Sequence, residues 1–461
     1  MDVFGLGIEP EAQDTNDDSP KTQEPTETLV EYLTRMISPP NGNVLVIEDL
    51  DGYDFGPHSD LSVHGVVLIG EIKPHHSKEL DRVLVPGAHI MAISPEDNPV
   101  SYKGTCVVED AGFEIRDTIY YADEGKGFHY CAKASRSERE AGCEHLASMS
   151  GAEAVDREEG TAGLDNPRAG AGRTASSVRN FHPTVKPIEI MEWCLRDIPT
   201  SELVVEPFAG SGTTLLACCK TGHSVIGIEK DPEYAPIADA RVRYWSNGDF
   251  KRPEGTEFQS EAEPEVEEVE EQSLNFLDMF SREFGAPEAP ALVIRNRSGD
   301  HKVKLWIGDC AERMRDIETG SVGAIVTDPP YGLKFMNKEF DDLGEGAQQR
   351  EWHVVWLQEA FRILKPGGII KAFCGTRTMH HLLAAMQEVG FVGRDSENLE
   401  VEAWVYGSGF PKSLNIYKAL QKMQENGDLP LDTDIEQWKG WGTALKPAWE
   451  PICIGIKPGQ G

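Results

Sequence analysis

Short runs of aliphatic and β-branched residues alternate along this chain with stretches of helical spacing. That alternation constrains the fold more than any other feature. VVLIGE, HIMAIS, LVVEPF, SVIGIE, GAIVTDPP and GIIKAF each read as buried strands. LLACCK, PEYAPIADARVRYW and VVWLQEAFRIL read as helices. Strands that alternate with helices pair in parallel, because each helix carries the chain back to the same edge of the sheet. The expectation is an α/β fold with a largely parallel sheet.

The pattern is repeated within the chain. LVEYLTRMISPPNGNVLVIEDLDG (29–52) echoes EIMEWCLRDIPTSELVVEPFAG (189–210). LDRVLVPGAHIMAIS (80–94) echoes FRILKPGGIIKAF (361–373), and GFEIRDTIYY (112–121) echoes GFVGRDSENLEVEAWVY (390–406). Helix-turn-strand units resemble one another in general, but three echoes in the same order favour duplication. The copies are unequal. IEDLDGYDF stands where EPFAGSG comes later, and VVLIGEIKPHH stands where AIVTDPPYG comes later.

Two motifs carry chemistry. In the first, a strand runs into a glycine-rich turn and then a helix: Glu206-Pro207-Phe208-Ala209-Gly210-Ser211-Gly212-Thr213-Thr214. Glycines let the backbone turn tightly and approach a ligand, and the free amides at a helix start favour polar or anionic groups. The next strand ends at Glu229, 21 residues after Phe208. A carboxylate at about that distance is what ribose hydroxyls require in nucleotide-binding α/β folds. The second motif, Thr327-Asp328-Pro329-Pro330-Tyr331-Gly332, follows the apolar run VGAIV. At average composition a D-P-P-Y tetrad occurs in roughly a few chains per thousand. The paired prolines stiffen the strand end, so that the Asp328 carboxylate and a backbone carbonyl can converge on one exocyclic amino group. Tyr331 supplies a stacking face.

These blocks resemble those of the N4/N6 amino DNA methyltransferases, especially phage and restriction-modification enzymes. EPFAGSGTT and GIEKDPEYAPIADARV resemble the cofactor segments, TDPPYG the catalytic motif, and FHPTVKP (181–187) the segment before the cofactor loop. KLWIGDCAERM, FRILKPGG, GSGFPKS and GWGTALKPAWEPI resemble blocks flanking the catalytic motif. The resemblance spans about 180–250 and 300–458, with further similarity across 60–140. It implies a Rossmann-like S-adenosylmethionine-dependent methyltransferase sheet, duplicated with one degenerate N-terminal copy. Many relatives carry the tetrad before the cofactor loop, so the order here implies a permuted arrangement with one active site.

The resemblance assigns roles by residue. Asp328, Pro329, Pro330 and Tyr331 would hold the target amino group. Pro207, Phe208, Gly210, Ser211, Gly212 and Thr213 would line S-adenosyl-L-methionine, with Glu229 at its ribose. Asp309 would reach its adenine, or would instead cap the helix AERM. His182, Thr184 and Lys186 border the cofactor or a phosphate, or serve packing. Between Ser408 and Lys446, the cations Lys412, Lys439 and Lys446 mix with Trp438 and Trp441. That mixture suits phosphates and unstacked bases, or a small core with surface lysines. The expected reaction is methyl transfer to N6 of adenine in double-stranded DNA. N4 of cytosine is the alternative, and a non-catalytic cofactor-binding regulator is an alternative of another class. Oligomeric state and target sequence are not set.

Composition and breaks bound the remaining possibilities. A net charge of −34 argues against a chain that coats DNA nonspecifically, since phosphate binding needs Lys and Arg. It leaves room for one local basic cleft. Nine cysteines include no C-x-x-C pair, so no structural metal site is expected. Neither a membrane span nor a secretory leader is recognisable, and a cytoplasmic protein is expected. The anticipated domain plan has a disordered tail (1–25), the degenerate copy (26–150) and a flexible loop (151–180). The cofactor-binding part (181–250), an acidic linker (251–300) around EAEPEVEEVEEQ, and a catalytic part (301–458) follow, with target recognition at 408–446.

Overall fold

The computed structural model describes residues 42–69, 72–93, 102–118, 127–150, 177–246, 292–295, 302–334, 339–394, 398–407, 415–440 and 448–459. The tail at 1–25 and nearly all of the expected loop and linker lie outside them, as do Lys412, Trp441 and Lys446. The chain divides into two compact units. The first comprises Met1–Tyr121, Thr376–Ala384 and Tyr406–Trp449; the second comprises Ala122–Gly375, Ala385–Val405 and Glu450–Gly461.

The first unit contains a parallel sheet in the order β1 (Val44–Ile47), β2 (Val63–Ile69), β3 (Leu84–Ile93). The helix Pro74–Val83 leads directly into β3 and buries Leu80 and Val83 against Ile47, Val63, Val66 and Leu68. Burial of such side chains contributes roughly 1.5–3 kcal/mol each. A second cluster joins Ile416, Leu420, Leu429, Ile435 and Trp438 to Val85. The helix Ile416–Asn426 is capped by Asn415, whose side chain accepts from the Lys418 amide, and ends at Gly427 with φ 85°. Gly87 (φ +89°) faces it, and a Cβ there would meet Leu420, Trp438 and Ile416 at 3.0–3.1 Å.

The second unit is built on a nine-stranded sheet among the described residues. In chain order its strands are β4 (Phe128–Tyr130), β7 (Leu203–Glu206), β8 (Ser224–Glu229), β9 (Leu292–Arg295), β10 (Lys302–Ile307), β11 (Val322–Thr327), β12 (Leu364–Phe373), β13 (Glu400–Val405) and β14 (Trp449–Ile456). A separate ribbon pairs β5 (Met149–Ser150) with β6 (Ser177–Val178). The sheet order is β4-β13-β14-β12-β11-β7-β8-β10-β9. Strands β12, β11, β7, β8 and β10 run parallel, with β14 and β9 antiparallel to their neighbours β12 and β10. From β7 the chain steps to β8 on one side, and from β11 to β12 on the other. The junction of β7 and β11 is therefore the topological switch point, where open α/β sheets of the Rossmann-like type form their binding crevice.

Duplication is visible in the backbone. β2 pairs β3 at Val63↔Leu84 and then at Gly65↔His89. β11 pairs β12 at Val322↔Leu364 and then at Ala324↔Ile369. The same register shift falls at the start of the same strand pair, each time just after a helix that runs straight into the second strand.

Two expectations change. The expected boundary at 150 moves to 121/122, because β4 pairs in parallel with β13 at the edge of the nine-stranded sheet. The described part of the 408–446 segment groups with the first unit and not with the catalytic part, because its apolar residues pack on Val85.

Candidate active site

The glycine loop leaves the carboxyl end of β7. Gly210 and Gly212 have φ of +49° and +78°, and Gly212 opens the helix Thr213–Thr221. A Cβ on Gly210 would meet His182 Nε2 at 2.6 Å. His182 is fixed in turn by a 2.6 Å hydrogen bond between Nδ1 and the Thr184 carbonyl, so the FHPTVKP turn packs directly on the loop. Arg241, fully buried, donates through Nη1 to the Ser211 carbonyl, Ser211 Oγ and Thr213 Oγ1 at 2.7–3.0 Å. The hydroxyls of Ser211 and Thr213 are thus engaged inside the protein. Pro207 is buried, and the half-buried Phe208 ring lies 5.3 Å from Trp356 and 5.8 Å from Trp352.

The tetrad leaves the carboxyl end of β11, the strand beside β7, with Ala324↔Val204 and Ile325↔Val205 in register. Pro329 is buried and Pro330 half-buried. The turn is held by Asp341, whose carboxylate accepts from the amides of Tyr331, Gly332 and Leu333 at 2.7–3.1 Å. Asp328 receives Lys186 Nζ on both oxygens, at 2.8 and 2.7 Å, and the Tyr331 hydroxyl at 2.9 Å. Lys186 also lies 2.9 Å from the Tyr331 hydroxyl and 3.2 Å from Glu450, which accepts from Tyr331 at 3.0 Å. Burial opposes the charge on Lys186, but Asp328 and Glu450 outweigh it and hold the pKa above the ordinary lysine value. Lys186 is thus in direct contact with the tetrad and with Glu450. Tyr331 is anchored by its hydroxyl.

One carboxyl group ties the two motifs together. Glu206, the last residue of β7, accepts from the Phe208 amide at 3.0 Å and from Thr214 Oγ1 at 2.6 Å. It also accepts from Thr327 Oγ1, next to Asp328. Burial pushes its pKa up to about 8 despite these donors. A neutral carboxyl adds an O–H of its own to this network.

Farther along the sheet edge, Glu229 ends β8. Its oxygens accept from the amides of Gly210 (2.6 Å) and Asp231 (2.8 Å), and burial raises its pKa to about 7. Asp309 follows β10 and caps the helix Cys310–Met314, accepting from the amides of Ala311 and Glu312. Its other oxygen is 3.6 Å from Lys230. The carboxyl ends of β7, β8 and β10 therefore present, in order, a glycine turn, a carboxyl group with lone pairs left over, and a second carboxylate. This donor set fits a nucleoside carrying a ribose diol, while the Ser211 and Thr213 hydroxyls are spent on Arg241.

In the first unit Trp438 is fully buried, and its indole N–H donates to the Pro86 carbonyl at 2.9 Å. It is a core residue and offers no stacking face to a base. Lys439 is exposed, 3.7 Å from Glu436.

Sequence reasoning did not single out Glu206, Asp341, Glu450 or Arg241. Glu206 and Glu450 sit inside blocks already recognised, EPFAGSG and KPAWEPI, so a signal existed for both. Arg241 also lies in a recognised block, GIEKDPEYAPIADARV, but only the folded chain brings it and Asp341 to the two turns.

A family described as DNA methylase, covering the N6 and N4 types, matches residues 74–240 and 322–417, more than half of the chain. The Type II methyltransferase M.HindIII of Haemophilus influenzae is 22% identical over 189 residues, 33% of this chain and 58% of that protein. M.BamHI of Bacillus amyloliquefaciens is 36% identical over 69 residues, 14% and 16% of the two chains. M.ScaI of Streptomyces caespitosus is 36% identical over 78 residues, 16% and 26%. The chain thus spans less than two thirds of each of these relatives. A solved S-adenosylmethionine-dependent O-methyltransferase from Thermotoga maritima is 14% identical over 60% of this chain and 67% of that one, with a TM-score of 0.29. That score is too low to equate the two shapes.

Proposed function

The chain belongs to the N6/N4 DNA methylase family, and from that premise we propose that it transfers a methyl group from S-adenosyl-L-methionine to N6 of adenine in double-stranded DNA. The observation that carries this reading is the Glu206 bridge. It fixes the glycine loop and Asp328 on neighbouring parallel strands, which lie about 4.8 Å apart. The bound cofactor supplies an electrophilic methyl group on a sulfonium centre.

The chain's own residues then bind, orient and stabilise. The β7, β8 and β10 ends bind the cofactor through the glycine turn, Glu229 and Asp309. Asp328 and the Pro329 carbonyl accept the two N–H bonds of an amino group on a base rotated out of the duplex, which orients its nitrogen lone pair for attack. Asp328, in contact with the amino group, favours the positive charge that develops on the attacking nitrogen, while Lys186 and Lys133 balance Glu450 behind it. Burial raises the Asp328 pKa, and Lys186 opposes that rise while holding the carboxylate in place beforehand. Entry of the amino group exchanges one of the two Lys186–Asp328 hydrogen bonds for one to the base.

Asp rather than Ser at the head of the tetrad supports adenine. The test is incubation with duplex DNA and methyl-labelled cofactor, followed by nucleoside digestion and mass spectrometry. N6-methyladenine is expected, and N4-methylcytosine would reassign the base. Faster transfer to RNA in competition would reassign the substrate, and binding of cofactor with no transfer would make the chain a regulator. Asp328→Ala should abolish transfer and leave calorimetric cofactor affinity within a few-fold.

A further inference from the structure

In the first unit, Glu109 near the end of the helix Tyr102–Asp110 meets His380 and His381 at the start of the helix Met379–Val389. His380 Nε2 is 3.2 Å and His381 Nε2 3.1 Å from the same oxygen, Glu109 Oε2. All three donor atoms lie within 4.8 Å of one another. Both histidines are buried, at 1% and 4% exposure, and Glu109 keeps a side open to solvent.

Neighbouring residues on a helix point about 100° apart, so two adjacent imidazoles ordinarily diverge. Here their ring centroids are 4.0 Å apart and both edges turn to one carboxylate. Tetrahedral coordination with bonds of about 2.0–2.1 Å separates ligand atoms by roughly 3.3 Å. The two N–O separations already stand near that value. A second acid–histidine group, Asp51 with His75 and His76, makes a useful contrast. There Asp51 is exposed and already paired with Lys73, and His75 is exposed.

We propose that Glu109, His380 and His381 form a site for one divalent transition-metal ion that pins the start of the helix Met379–Val389 to the helix Tyr102–Asp110. Two imidazoles and a carboxylate suit the borderline ions, zinc first and cobalt or nickel as substitutes, rather than magnesium or calcium, which take oxygen ligands. Solvent beside Glu109 completes the shell and provides the entry path. The site is separate from the methyl-transfer reading and stands or falls without it.

The experiment uses the full chain, free of affinity-tag histidines, stripped with chelator and titrated with Zn²⁺ and with Co²⁺. One equivalent should bind, Co²⁺ should develop the visible absorption of a low-coordinate N/O site, and Zn²⁺ should raise the melting temperature. His381→Gln and Glu109→Gln should each weaken binding by roughly tenfold or more, whereas Asp51→Asn should not change it. Should His381→Gln fail to fold, Glu109→Gln decides alone, since its amide still accepts from both imidazoles. Absence of stoichiometric binding, or equal binding by Glu109→Gln and the unaltered chain, would overturn the proposal.

Discussion

Lys186 lies between Asp328 and Glu450 with its ammonium group spent on both. Lys186→Met should leave cofactor affinity within a few-fold, because none of the partners found for its ammonium belongs to the glycine loop. Methyl transfer should fall by roughly 10²–10³, the cost of removing one preorganised electrostatic group. Leaving the buried Asp328 without its cation should also lower stability by about 3–5 kcal/mol, so melting must be followed beside the kinetics. Joint loss of cofactor binding and transfer in a folded variant would return the lysine to the cofactor side. Glu206 makes a prediction in pH. Its carboxyl is pushed by burial up to about 8, whereas in the unfolded chain it ionises near the ordinary glutamate value. Folding therefore takes up a proton between those values, and through this group stability falls as pH rises from about 4.5 to 8, then levels. Glu206→Gln removes that dependence. The melting temperature of the variant relative to the unaltered chain should climb from pH 5 to pH 8, and a constant difference would show that Glu206 is ionised throughout.

The element that matters most is the strand-loop-helix unit from β7 to Thr221. Its register against β11 follows from the apolar runs on both strands, but its loop conformation depends on two glycines with positive φ and on Arg241 reaching in from the helix Ala235–Ser246. Gly210→Val should abolish measurable cofactor binding in calorimetry, for two reasons. The residue has φ +49°, and its Cβ would stand 2.6 Å from His182 Nε2, a ring already held by the Thr184 carbonyl. Unchanged affinity in a folded Gly210→Val chain would remove this loop from the cofactor site. The clash partner is a histidine of the FHPTVKP turn, where sequence reasoning expected the ligand itself to fill that space.

At the scale of the whole molecule, both motifs and every residue that joins them fall in the second unit, while Trp438 anchors a cluster in the first. Trp438→Ala should therefore destabilise the first unit by about 3–5 kcal/mol and leave S-adenosylmethionine affinity unchanged. A parallel loss of affinity would mean that Trp438 serves the cofactor site. The sequence by itself determined the parallel α/β class, the duplication, the two motifs and the carboxylate at Glu229, because each is a local pattern: strand and helix periods, glycine turns, a proline-stiffened tetrad. It could not determine which distant segments meet. Thr327 reaches Glu206 across 121 positions, Lys186 reaches Asp328 across 142, and Glu450 joins Tyr331 across 119. Only the order of strands in the sheet makes those residues neighbours. The same reason moved Trp438 from a base-stacking role to a core. A tryptophan among lysines reads as a binding surface along the chain, but packing against Pro86 and Leu420 is settled only when β3 and the helix Ile416–Asn426 come together.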